Sequence, residues 1–153
     1  MAISVVKTIT ATVGVSAAYS DGDQMGPVIV ITDALRSSSG SGMIDSIVLL
    51  DKALQKSAID VLFFNASPTL TSTDNNKLDI ADSEMASKLI GRVSVPAASY
   101  VDLNANSDVT VKGIGLRVAG YLTANLYVVL QCKGTPTYGS ATDLVLKIGI
   151  TQE

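Results

Sequence analysis

The sequence predicts an all-β protein in which short antiparallel strands form a sandwich or a barrel. About eight segments are rich in β-branched residues, and several of them alternate apolar and polar residues as half-buried strands do. Clusters of Gly, Pro and Asp separate these segments at roughly even spacing, which is typical of turns. One segment alone has the spacing of a helix. These three observations place the chain in the all-β class.

The strand candidates follow one another along the whole chain. In the first, residues 2–15, Ile3, Val5 and Ile9 alternate with Ser and Thr, which indicates one buried face. The last candidate, residues 142–150, alternates in the same way. The others are apolar runs at residues 27–35, 43–51, 59–65, 91–95, 107–120 and 120–133.

A single short helix is predicted within residues 80–90. Ala81, Met85 and Leu89 recur every four residues, with acidic residues near the start and Lys88 near the end. The polar stretch before it, ASPTLTSTDNNKLD, is predicted to be a loop. Loops of that length inside one domain are often functional.

The Gly/Ser run RSSSGSGM, from Arg36 to Met43, could be a linker between domains, a phosphate-binding loop or a connection between strands. It lacks the Gly-Lys-Ser/Thr ending of a phosphate loop. The flanking strands have similar composition, and neither side of the run is long enough for a separate β domain. We therefore predict a connecting loop within a single domain, residues 1–153, in which residues 1–18 are a first strand or a terminal arm.

The low charge of the chain favours an oligomer or a docked subunit. Charged residues make up 16% of the 153 residues and hydrophobic residues 47%, whereas a typical soluble domain is about 25% charged. Such a chain exposes much uncharged surface, and large exposed apolar patches usually mark a partner surface. The net charge of −3 and the scattered Lys and Arg residues argue against nucleic acid as a partner. The longest uncharged run, residues 118–132, is too short for a membrane span.

The absence of histidine removes most familiar hydrolase mechanisms, because no Ser-His-Asp or Cys-His arrangement can be built. Asp21 and Asp23 resemble the start of a calcium loop, but Thr32 stands where the twelfth-position Glu is needed. We predict a turn there. The sequence thus predicts no enzyme and no catalytic, cofactor-binding or metal-binding residues.

Several segments resemble those of tailed-bacteriophage head decoration proteins, also called cement or auxiliary head proteins. They are the DGDQ-G turn at residues 21–26, the small-residue loop before a strand ending in Asp51, the LFF-x-x-x-P-T run at residues 62–69, and the closing GTPTY at residues 134–138. The resemblance extends from about Tyr19 to the end of the chain.

The resemblance implies an antiparallel jelly-roll-like β-sandwich of about eight strands with one short helix. It implies a structural virion protein, made in the host cytoplasm, that binds the outer surface of the capsid and stabilises contacts between capsomers. Its expected partners are the major capsid protein and further copies of itself, as a dimer or trimer. We expect the two polar loops to make the contacts, through Arg36, Ser37, Ser38, Ser39, Ser41, Met43, Pro68, Thr69, Leu70, Thr71, Asp74 and Asn75.

Two alternatives stay open at the level of sequence. One is a carbohydrate-binding or tail/fibre-associated β module, which needs exposed tyrosines as a platform for a sugar ring. The candidates are Tyr19, Tyr100, Tyr121, Tyr127 and Tyr138. The other is a small hydrolase that relies on Asp residues, with or without a metal.

Overall fold

Nine strands form two antiparallel sheets in the computed structural model, which describes residues 1–153. The strands are β1 (Ile3–Thr10), β2 (Ile29–Ile31), β3 (Ser41–Asp51), β4 (Ile59–Phe64), β5 (Leu89–Val95), β6 (Val101–Asp102), β7 (Ser107–Ala119), β8 (Leu126–Cys132) and β9 (Leu144–Gln152). Helix α1 (Asp82–Lys88) precedes β5, and a 3₁₀ turn (Ala97–Ser99) follows it. The predicted all-β sandwich with one short helix is confirmed.

The order of the strands is that of a jelly roll. One sheet has the order β1-β9-β3-β7-β6 and the other the order β2-β8-β4-β5. Without the two-residue β6, eight strands form two four-stranded sheets, and most consecutive strands lie in opposite sheets. This is the two-Greek-key arrangement that defines the fold. The Gly/Ser run crosses from one sheet to the other, between β2 and β3.

The strands differ from the sequence pattern in several places. β1 ends at Thr10 rather than at residue 15, and β3 and β5 each begin two residues earlier than their predicted runs, at Ser41 and Leu89. β2 is short because the backbone turns away at Asp33, which has a positive φ of 50°. Residues 120–125 form a turn rather than the start of β8, with Leu122 at a φ of 63°. β6 was not predicted, since two residues are too few for a periodic pattern.

The core between the sheets contains 27 buried residues. Ile44, Ile47 and Leu49 of β3 point inward, and Val61 and Phe63 of β4 point inward from the other sheet; all five are fully buried. Their burial is the main source of folding free energy.

β1 is an edge strand of the five-stranded sheet. It pairs with β9 along its whole length, from the Ile3 and Gln152 pair to the Thr10 and Val145 pair. The residues after it continue this contact, since Ala11 N donates to Leu144 O at 3.0 Å.

β4 is buried on both faces. Ile59, Val61 and Phe63 face the core, whereas Leu62 and Phe64 belong to a second apolar cluster on the outer face of the four-stranded sheet. The segment between β4 and β5 covers this outer face. We call residues 66–81 together with α1 the flap. The fold has no helix of the length and apolarity needed to cross a bilayer.

Single substitutions of Phe63 and Phe64 distinguish the contributions of the two apolar clusters. Phe64→Ala removes the side chain beneath the flap, whereas Phe63→Ala opens a cavity between the sheets. Each change is expected to lower the free energy of unfolding by about 3–5 kcal/mol. In addition, Phe64→Ala should speed proteolytic cleavage within residues 66–81 under native conditions, and Phe63→Ala should do so much less. Denaturant unfolding and limited proteolysis measure both effects; equal cleavage of the two variants would contradict the separate cluster.

Candidate functional site

The flap runs along the outer face of the four-stranded sheet from one end of the sandwich to the other. It leaves β4 at the end where Phe64 pairs with Tyr127 and Ile31 pairs with Leu126. At the opposite end, Lys77 forms a β-bridge with Asp23 of the DGDQ turn. The chain then returns through α1 to β5.

Apolar side chains fix the underside of the flap to the sheet. Three buried residues of the sheet form the floor, and partly buried residues of the flap and of neighbouring segments pack on them. The floor is Leu62, Phe64 and Val129, and the packed residues are Val28, Leu70, Leu78, Ile80, Met85 and Tyr127. The flap therefore covers an apolar sheet face that would otherwise be exposed to solvent.

A hydrogen-bonded cluster, which we call the latch, holds the far end of the flap. Tyr19 Oη donates to Asp74 Oδ1 at 2.5 Å and accepts from Gly14 N at 2.6 Å. The same carboxylate oxygen accepts from Gly26 N at 2.7 Å. A Cβ on Gly14 would clash with Asp74 Oδ2, so glycine leaves room for the carboxylate in this position. Residues 14–26 thus meet the flap at one carboxylate, which is 55 residues from Tyr19 and 48 from Gly26 in sequence.

Gln24 of the DGDQ turn reinforces the latch. Its backbone N–H donates to Asn76 O at 2.8 Å, and its carbonyl accepts from Asn75 N at 2.9 Å. Its side-chain Oε1 accepts from Ser72 Oγ at 2.7 Å, while Nε2 donates to Gly26 O at 2.8 Å. The turn therefore engages the flap through both backbone and side chain.

Two titratable groups at the attachments of the flap, Tyr19 and Glu84, have shifted pKa values. Burial, with the Asp74 hydrogen bond second, raises the pKa of Tyr19 far above its usual value, so the phenol stays protonated as the latch requires. At the other end, Lys88 and the backbone N–H of Thr69 hold the pKa of Glu84 below its usual value. Glu84 Oε2 lies 2.7 Å from Thr69 N and 2.5 Å from Lys88 Nζ, and these contacts tie the first part of the flap to α1.

The outer surface of the flap carries a row of three threonines. Thr69, Thr71 and Thr73 are exposed, because alternate residues of this extended segment turn toward the sheet. Beside the row is an open concavity of about 520 Å³, lined by Gln24, Pro27, Val28, Pro68, Leu70, Ser72, Thr73 and Asp74. The surface offers hydroxyls and apolar area with little charge.

The Gly/Ser run lies at the end of the sandwich where the flap begins. Ser37, Ser38 and Ser39 are exposed, and Arg36 Nη1 donates to Met1 O at 2.7 Å. Two residues predicted to be in this loop, Ser41 and Met43, lie instead within β3, because the ladder with β7 already begins at Ser41. Both are half-buried.

The structure does not bring the twelve predicted contact residues into one patch. Arg36 to Ser39 and Thr69 lie toward one end, whereas Asp74 and Asn75 lie at the other. Pro68 is buried and Leu70 packs on the second apolar cluster, so neither presents a full side chain to solvent. Asp74 is a latch residue. Its role had no signal in the sequence, since Tyr19 is 55 residues away.

The two other kinds of site considered from sequence have the following geometry. Both carboxylates of the DGDQ turn form ion pairs with lysines: Asp21 Oδ1 is 2.9 Å from Lys133 Nζ, and Asp23 Oδ1 is 3.3 Å from Lys77 Nζ. No group of three or more potential metal ligands is present. Of the five tyrosines, two are buried and two half-buried; Tyr121 alone is well exposed, at 59%.

Removal of the Asp74 carboxylate is expected to release the far end of the flap. Asp74→Ala leaves the Tyr19 hydroxyl and Gly26 N–H without their acceptor, and we expect a loss of about 2–3 kcal/mol in unfolding free energy. Hydrogen exchange should rise in residues 70–80. The matched control is Asp79→Ala, whose carboxylate makes no hydrogen bond and is exposed. Equal effects of the two variants would rule out the latch.

Acid is expected to loosen the near end of the flap through Glu84. Because its folded pKa is lowered, the stabilisation is present above the usual value of 4.5 and is lost as the pH falls below it. Proteolysis of the flap near Thr69 should therefore increase as the pH falls below 4.5. Glu84→Gln should be cleaved more readily at neutral pH and should lose this dependence. A wild-type profile that is unchanged in the variant would contradict the assignment.

Comparison with known proteins gives no family for the chain. No family model matches it and no curated protein matches it. Two solved virus structures are similar at low level. One is of Israeli acute paralysis virus, "heated to 63 degree - full particle", with 9% identity and a TM-score of 0.33 over 98% of this chain and 67% of that chain. The other is of Turnip Yellow Mosaic Virus, with 10% identity and a TM-score of 0.31 over 99% and 93%. Similarity at this level does not identify a function.

Proposed function

We propose that the chain is a structural virion protein, a head decoration or cement protein that binds the outer surface of a tailed-phage capsid. In this role it is present in many copies, contacts the major capsid protein and stabilises the junctions between capsomers. It is neither an enzyme nor a nucleic-acid-binding protein.

The observation that carries this proposal is the convergence of the segments that resemble decoration proteins. The DGDQ turn holds the tip of the flap through Gln24, and the LFF-x-x-x-P-T run forms the floor and first part of the flap. The closing GTPTY lies against the same place, since Tyr19 N donates to Pro136 O at 2.9 Å and the rings of Tyr19 and Tyr138 pack edge to face. Segments far apart in sequence thus build one structural unit.

The exposed surface of this unit suits a protein that docks on a lattice. The threonine row and the exposed serines of residues 37–39 supply uncharged hydrogen-bonding groups at the flap and at the adjoining end of the sandwich. Such contacts are individually weak. Several of them on each oligomer, repeated over many sites, add up to durable binding through multivalency.

The carbohydrate-binding or tail/fibre alternative has less support from the geometry. A sugar platform needs an exposed aromatic ring with polar groups around it, and only Tyr121 among the tyrosines offers one. Binding to glycans but not to capsids would favour that alternative.

Charge added to the threonine row is expected to weaken capsid binding without unfolding the chain. The variant carries Thr69→Lys, Thr71→Lys and Thr73→Lys, and its affinity for expanded shells that lack the protein should fall at least about tenfold, the equivalent of 1.4 kcal/mol. Its melting temperature should stay close to that of the wild type, since the three positions are exposed.

The matched control is Thr110→Lys, an exposed threonine on the other sheet. Co-sedimentation with shells measures binding of each variant. If the flap variant binds as the wild type does, the flap is not the contact surface. If the wild type does not sediment with shells, the proposed function itself is wrong.

A further inference from the structure

The outer edge of β1 is a long sheet edge that no other segment covers. The edges of the four-stranded sheet are blunted, since β2 has three residues and β5 contains Gly91, an exposed Arg92 and a register shift beside it. On the far side of the five-stranded sheet, β6 covers only Ser107 and Asp108 of β7. The rest of the β7 edge is interrupted by an irregularity at Gly113 and Gly115, both at positive φ, beside the exposed Lys112. Short strands, charges and bulges are the devices by which proteins prevent pairing at an edge. β1 has eight regularly paired residues and neither Pro nor Gly.

The register of β1 shows which backbone groups are open. Ala11 N donates to Leu144 O, so Ala11 and every second residue before it exchange hydrogen bonds with β9. The N–H and C=O groups of Ser4, Val6, Thr8 and Thr10 therefore point away from the sheet. None of these groups takes part in a backbone hydrogen bond elsewhere in the chain, and all four residues are exposed.

We propose that β1 pairs with β1 of a second copy across a two-fold axis at Val6. In this antiparallel register Val6 lies opposite the second Val6, and Ser4 lies opposite Thr8 on both sides of the axis. Each of these three pairs exchanges two backbone hydrogen bonds, because their open groups face one another. The two five-stranded sheets then form one continuous sheet across the dimer.

The side chains of β1 favour this register, and they favour a second copy of the chain as the strand that pairs with the open edge. β1 has one charged residue, Lys7, and the Val6 axis places it opposite Val5. An axis one residue further on would set Lys7 against Lys7, and like charges directly opposite are destabilising. The Val6 axis also covers the Val6 side chain, which is 67% exposed, and brings Ile3, 45% exposed, opposite Ile9. The strand is thus self-complementary in hydrogen bonds and apolar surface, and in this register no like charges lie opposite each other.

This pairing names the surface through which two copies of the chain contact each other. It rests on the proposed function only in the advantage that dimerisation would bring, because a dimer makes twice as many contacts with the capsid as a single chain. Both tests below use the purified chain without capsids. Their failure therefore leaves capsid binding untouched, and failure of capsid binding leaves the dimer untouched.

The first experiment is a disulfide test with Val6→Cys. Residues in a hydrogen-bonded antiparallel pair have Cα atoms about 5.5 Å apart, within the range of about 4.4–6.8 Å that a disulfide needs. Oxidation should give a covalent dimer on a non-reducing gel. Ser4→Cys is the matched control, since its two copies would lie roughly 13 Å apart at ~3.3 Å per residue. Ser4→Cys combined with Thr8→Cys should cross-link. Wild type, in which Cys132 is buried, gives the background.

The second experiment compares two proline variants by light scattering and thermal unfolding. Val6→Pro removes an N–H that faces the open edge, so the chain should stay folded and become monomeric. Val5→Pro removes an N–H that is bonded to β9, so it should lower the melting temperature. The proposal is overturned if wild type is monomeric at tens of micromolar, if Val6→Pro remains a dimer, or if Ser4→Cys cross-links as well as Val6→Cys. If wild type is monomeric, a separate co-sedimentation experiment with capsids shows whether Val6→Pro loses capsid binding, which would assign the edge to a capsid strand instead.

Discussion

The burial of β4 on both faces is the constraint on which the rest of this structure depends. A sandwich strand needs one apolar face, but the run IDVLFF supplies apolar side chains to both. Leu62 and Phe64 would face water without a cover, at a cost of about 1.5–3 kcal/mol for each exposed side chain. The flap provides the cover, because its apolar residues Leu70, Leu78 and Ile80 pack against these side chains. The latch then fixes the tip of a segment that has little regular structure of its own.

The flap also gives the outer surface its chemical character. It replaces an apolar sheet face by a row of threonine hydroxyls and a shallow, weakly charged concavity. Such a surface has little attraction for phosphate backbones, in agreement with the net charge of −3. It is suited to close contact with another protein, where hydroxyls satisfy hydrogen bonds without the desolvation cost of charges. The decoration role that we propose uses this surface.

The sequence predicts the strands well because their signal is local. Alternation in β1 and β9, and the apolar runs of β3, β4 and β8, locate these strands, although β1 ends five residues before its predicted run does and β8 begins six residues after the start of its run. Helix α1 follows from the spacing of Ala81 and Met85. The order of the strands is not predictable in this way, because pairings such as β3 with β9 join residues about 100 positions apart.

The candidate site is less accessible to sequence reasoning. The polar segment of residues 66–79 is predicted to be a functional loop from its length alone, but its attachment to the sheet is not predictable from sequence. Asp74 has no neighbour in sequence that indicates a partner, and its contacts with Tyr19 and Gly26 depend on the whole fold. Leu70, Leu78 and Ile80 are spaced too irregularly among polar residues to indicate a buried underside. The sequence pattern predicts that Pro68 and Asp74 contact a partner; in the structure Pro68 is buried and the Asp74 carboxylate bonds within the latch.

The most direct test of the decoration role is the copy number of the chain in virus particles. A quantitative protein gel of density-purified particles compares its band with that of the major shell protein. The account predicts a copy number comparable to that of the shell protein. A handful of copies per particle would indicate a tail or fibre component, and complete absence from purified particles would contradict a structural role in the virion.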